Sequence, residues 1–140
     1  MMRTRYVLVL CAAGLFGLVL VIAPLVAQAE SALPRVINLS ATGPQPQRLD
    51  VRAGDAVLWV SHLANTPLVV VTLAFLDGAR VAQATASVEG YNAFVLEGEP
   101  FVGRMEGNGG KVALRFTTPG AYTYTLGHAP HLTGTIVVRK

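Results

Sequence analysis

VALRFTTPGAYTYTLGHAPHLTGTIVV, residues 112–138, is the stretch whose reading decides the fold. Apolar residues alternate through Val112, Leu114 and Phe116, and successive side chains of an extended strand point to opposite faces. Pro119 and Gly120 then make a turn between two antiparallel strands. Beyond it Tyr122 and Tyr124 share one face, with Thr123 and Thr125 on the other. A last apolar run, Gly134 to Lys140, closes the chain. Between the tyrosines and that run lies a short loop with two histidines, His128 and His131.

The same grammar extends towards the N-terminus. Short runs alternate or are continuously apolar: VINLSA (36–41), RLDVR (48–52), AVLWVS (56–61) and LVVVTLAF (68–75). RVAQATASV (80–88) and YNAFVLE (91–97) are further strand candidates. The sequences GPQPQ, AGD, NTP, LDG and GNGG (107–110) separate runs as breakers and loops. About eight short strands at 8–12-residue spacing, rich in Val, Thr and aromatic residues, predict an all-β sandwich or barrel. No helical period of 3.6 residues is visible after Glu30. One domain suits 140 residues.

The first 29 residues are of another kind. MMRTR places Arg3 and Arg5 before an uncharged apolar run, residues 6–26, and AQA follows at 27–29. A basic start, an apolar middle and an A-x-A site predict a secretory signal peptide cut after Ala29. The run is also long enough for an uncleaved membrane anchor. Both readings export the rest of the chain, to the periplasm or another extracytoplasmic or secreted location. The expected organisation is a signal or anchor helix at 1–29, a linker at 30–35 and one domain at 36–140.

Without those 29 residues the chain keeps nine Lys and Arg against eight Asp and Glu. No stretch of it is rich in cations, so nothing supports nucleic-acid binding. The single cysteine, Cys11, lies in the apolar run, so residues 30–140 offer no disulfide, thiolate nucleophile or Cys-ligated metal site.

Two segments go beyond a generic β-domain. LDVRAGDAVLWVS (49–61), with Gly54, Asp55, Val57 and Trp59, and the closing stretch, with Phe116, Pro119, Gly120, Tyr122, Tyr124, Gly134, Ile136 and Val138, resemble the cupredoxins, the plastocyanin, pseudoazurin and amicyanin group. The resemblance implies a Greek-key β-sandwich. It also implies where a blue copper site, two His and one Cys with a weak axial Met, would lie. At those positions this chain has Leu68 and Ala129 for the histidines, Leu126 for the cysteine and Leu132 for the methionine. The scaffold pattern is intact and the type 1 copper ligands are replaced.

Other residues offer less chemistry. His62, His128 and His131 come from two loops expected at one end of the sandwich, and three imidazoles would suit Cu(II) or Zn(II). Met105 could add a soft ligand, although a lone Met is usually a core filler. Nothing marks a nucleophile turn near Asp55, Ser61 and His62. Asp50 and Asp77 sit at turns, and Glu97 and Glu99 flank a loop glycine. No enzyme is expected.

The leading expectation is an exported cupredoxin-like module without a blue copper site. It would bind or assemble with a protein partner, such as a membrane redox complex, through a face made apolar by Leu68, Leu126, Ala129 and Leu132. Alternatively those leucines plug the former cavity. No cofactor is expected, though copper stays open through a copper-handling reading on His62, His128 and His131. An electron carrier with an atypical site is the third reading. Membrane attachment would run through residues 6–26.

Overall fold

Tyr122, Tyr124 and Leu126 are buried while Ala121 and Thr123 face solvent, so the 120–126 run follows its period of two. The computed structural model describes residues 33–63 and 70–140. The expected signal or anchor at 1–29, residues 30–32 of the linker and Leu68 lie outside the described residues.

Among the described residues eleven strands form two sheets. The first has the order β2 (Gly43–Gln45), β1 (Arg35–Ser40), β4 (Ala56–His62), β9 (Asn108–Phe116) and β6 (Thr85–Ser87). The second has the order β3 (Arg48–Arg52), β11 (Ala129–Arg139), β10 (Gly120–Leu126), β5 (Val70–Phe75), β8 (Phe101–Glu106) and β7 (Val95–Leu96). The pairs β1–β4 and β3–β11 are parallel and the others antiparallel. This is the expected Greek-key sandwich, with the inward face of each sheet supplying the core.

The core runs from Ile37 to Val138 and includes Val57, Trp59, Phe75, Phe116, Tyr122, Tyr124 and Ile136. Its centre is an aromatic cluster. Trp59 meets the Tyr124 ring edge-on at 5.5 Å between centroids, and Phe94 and Phe101 lie 5.4 Å apart. Each such pair adds about 1 kcal/mol beyond the area it buries. Residues 33–140 form a compact unit, and the core found among the described residues lies inside it, so this segment carries a core of its own, as independent folding requires.

Turns are fixed by a few local devices. The Asp55 carboxylate accepts from the Arg52 backbone N–H at 2.9 Å, and Gly54 takes a φ of +100° in the same turn. The Tyr122 hydroxyl donates to the Thr118 carbonyl at 2.7 Å and so ties down the Pro119–Gly120 turn.

The structure departs from the sequence reading between Phe75 and Asn108. The run at 80–88 is not one strand. Gly78–Gln83 form a short helix, α1, that leads into β6. Ala79, Ala82 and Gln83 favour helix, and one and a half turns are too few for a period to show. Only Val95 and Leu96 of the 91–97 run join a sheet. The GNGG stretch is not a loop: Gly107 makes the turn and β9 starts at Asn108. Strand β8 was not among the expected runs.

Candidate functional site

The end of the sandwich that carries the histidines is built from the C-terminus of β4, the β8–β9 hairpin and the β10–β11 turn. The Gly107 carbonyl in the hairpin accepts from the buried Ser61 hydroxyl and from the Leu63 N–H at 3.1 Å. These bonds hold the end of β4 to β9 beside a register irregularity between Val60 and His62.

His62 is exposed at the end of β4, next to the buried Ser61, and so faces away from the core. Its Nε2–H donates to the Asn38 Oδ1 on neighbouring β1 at 2.8 Å. His128 is exposed in the two-residue turn between β10 and β11. His131 is exposed on β11 and lines a groove of about 290 Å³ with Thr42, Pro44, Gln45, Leu132 and Thr133. Among the described residues no group of three or more His, Cys, Asp or Glu side chains is placed to hold a metal ion. Met105 is a core residue, 4% exposed.

Leu126 and Leu132, the described leucines of the expected apolar face, are largely inside. Leu126 is fully buried in the core cluster and pairs with Leu73 on β5 and Ala129 on β11. Leu132 is partly buried, packs against the core, and comes within 3.5 Å of where a Cβ on Gly43 would stand. Leu126 therefore cannot belong to an exposed apolar face. It fills volume, as expected of interiors packed like organic crystals.

The aromatic core holds two buried polar groups. The Trp59 Nε1 and the Tyr124 hydroxyl are both buried, and neither has a hydrogen-bond partner among the described residues. Burial pushes the Tyr124 phenol up to about 12, and the nearby indole N–H, outside hydrogen-bonding geometry, opposes the shift. Tyr124 lies across Gly134, where any Cβ would run into its hydroxyl. That contact explains why glycine stands opposite Tyr124 in the β10–β11 register.

No protein-family model matches the chain, and no curated protein matches it. Solved structures do match it in shape. An oxidised amicyanin with a proline-to-alanine substitution superposes with a TM-score of 0.55 at 24% identity, covering 79% of this chain and 88% of that one. Amicyanin from Paracoccus versutus gives 0.54 at 18% identity, with 77% and 83% covered. A copper(I) amicyanin with a methionine-to-alanine substitution gives 0.54 at 23% identity, with 79% and 88% covered. The fold is cupredoxin-like.

The donor chemistry at the histidine end of this cupredoxin-like domain does not fit type 1 copper. That centre needs a thiolate, and residues 33–140 contain no cysteine. The hydrocarbon side chain of Leu126 stands where the resemblance puts that thiolate.

Sequence reasoning missed a different surface. Leu76, after β5, is 65% exposed, and Val95 and Leu96 on edge strand β7 are 54% and 46% exposed. Leu76 and Leu96 line one cleft of about 370 Å³ with Asp77, Ala79, Gly98 and Glu99. Beside it, Arg104 donates to Glu97 at 2.7 Å and holds the Glu97 carboxyl below its usual range. The signal was present in FVLE, three apolar residues in a row, but it reads equally as a buried strand.

Proposed function

We propose that the chain is an exported cupredoxin-like binding or assembly module at the outer face of the cytoplasmic membrane, without a blue copper site and without catalysis. The observation that carries this reading is Leu126, fully buried at the position the resemblance assigns to the thiolate ligand. Export rests on the basic start, the apolar run 6–26 and the AQA site. The amicyanins that share the fold include a copper(I) form, and copper binding here would need donors other than theirs. The partner is a protein, and its docking face is the exposed apolar edge of Leu76, Val95 and Leu96 rather than the leucines of the histidine end.

Two measurements test this. The segment 30–140 is titrated with Cu(II), following visible absorption and electron spin resonance. Neither a copper–thiolate band nor tight stoichiometric binding is expected. Stoichiometric binding lost in His128→Ala plus His131→Ala would instead support copper handling. Photo-cross-linkers are then placed at residues 96 and 131 in exporting cells. Adducts at 96 and not at 131 are expected, and the reverse pattern would overturn the docking face.

A further inference from the structure

The end of the sandwich opposite the histidines collects positive charge. Arg35 starts β1, Arg52 ends β3, and Arg139 ends β11 in register with Arg52. Lys140 follows Arg139. Arg115, near the end of β9, pairs in register with Ala56 and donates to the Gly54 carbonyl at 2.7 Å. Five of the nine Lys and Arg of residues 30–140 thus lie at one end of a domain that is otherwise near neutrality.

Two acidic groups line the cleft at this end. Asp50 faces Arg48 at 3.2 Å and Arg139 at 3.6 Å. Asp55 is occupied by the Arg52 backbone. Arg80 reaches the Ala121 carbonyl at 2.8 Å but is matched by Asp77. Arg35, Arg52 and Lys140 have no ion pair among the described residues. Arg35, Arg52 and Arg139 line an open cleft of about 360 Å³ with Asp50, Val51 and Asp55. Exposed Leu33 and Val36 flank Arg35.

We infer that this cationic end docks on an anionic phospholipid surface. Guanidinium groups match phosphate oxygens in two-point contacts, and an open cleft rimmed by three of them suits headgroup phosphates. Leu33 and Val36 supply the apolar contact that a cationic patch needs beside it at a bilayer interface. Chain direction chooses a membrane over a soluble acidic partner. Leu33, the first described residue, lies at this end, and the sequence before it contains the apolar run 6–26. The inference rests on the reading that the domain works at the outer membrane face. It adds an orientation, with the cationic end towards lipid and the histidine end away from it.

The test is vesicle binding by the segment 33–140, which has its own core, repeated with the full chain in nanodiscs of the same lipids. Phosphatidylcholine vesicles are compared with vesicles that also contain phosphatidylglycerol. Binding is expected only to the anionic vesicles and falls with added salt. Each of Arg35→Ala, Arg52→Ala and Arg139→Ala weakens it about fivefold, and the triple variant about a hundredfold. Lys111→Ala, at the histidine end, has no effect. Equal binding to both vesicle types, an equal loss in Lys111→Ala, or no binding would overturn the inference. So would saturation by inorganic phosphate without vesicle binding, which would mark a soluble-anion site. None of these outcomes alters the cross-linking pattern at residue 96, so the two readings fail separately.

Discussion

Leu126→Ala puts a cavity at the position where the resemblance to cupredoxins places a thiolate. Leu126 is fully buried, with Leu73 and Ala129 as its cross-strand neighbours. Removing a fully buried leucine loses about 2 kcal/mol of transfer free energy, and the cavity left behind adds more. Its partners sit on β5 and β11, both held in the centre of the second sheet, so the site has little freedom to collapse. A loss of about 3 kcal/mol is expected, a fall in melting temperature of roughly 12 °C or more for a domain of this size. Leu132→Ala, at a partly buried position, should cost only about 1 kcal/mol. The assay is urea unfolding of 33–140 followed by circular dichroism, reading the midpoint at constant slope. A loss below about 1 kcal/mol for Leu126→Ala, or equal losses for the two variants, would refute the reasoning that Leu126 fills buried volume at the histidine end.

Tyr124→Phe is expected to leave stability unchanged or raise it by about 1 kcal/mol, because it removes a buried hydroxyl with no partner; a clear loss in thermal unfolding would show that the hydroxyl is paired. The same residue sets an alkaline limit. With its pKa raised from 10.0 to about 12, its contribution is complete below pH 10 and is lost as pH rises towards 12. About 2–3 kcal/mol should disappear over that window in the wild type and not in Tyr124→Phe, as read by urea midpoints across the pH series. Gly134→Ala should cost about 2 kcal/mol or more, since its Cβ meets the Tyr124 hydroxyl; a wild-type melting temperature would contradict that contact. Combining Leu68→His, Leu126→Cys, Ala129→His and Leu132→Met should give a copper–thiolate visible band on Cu(II) addition; a folded variant without that band would show that the ligand positions were misassigned.

The parts of the fold that could be read from sequence are those where one residue's environment follows from its neighbours. Alternation placed Leu49 and Val51, Val57 and Trp59, and Tyr122 and Tyr124 on inner faces, and all six are buried. The region from Phe75 to Met105 lacked such a pattern for a physical reason. Phe94 belongs to no strand, yet it sits in the core with its ring over Gly103. Its burial depends on a gap in β8 that only the β5–β8 pairing reveals. Helix α1 is likewise decided by contact, with Gly78 letting the Glu99 and Phe101 backbone approach closely.

The histidine end shows the same division. That the resemblance puts a ligand position at Leu126 follows from spacing, because the turn, the tyrosines and Gly134 fix the register. That it is buried rather than displayed is not legible, since an apolar residue at the end of a strand suits either a plug or a docking face. Leu73 and Ala129, facing it across the two neighbouring strands, decide between them. His62 turns on a still smaller difference. It follows a buried serine, so the pleat sends it to the outer face, where Asn38 takes its Nε2–H. A one-residue slip would reverse that face, and the Ser61 and Leu63 bonds to the Gly107 carbonyl oppose such a slip. The hairpin that stabilises the scaffold is therefore also what keeps His62 facing away from the core.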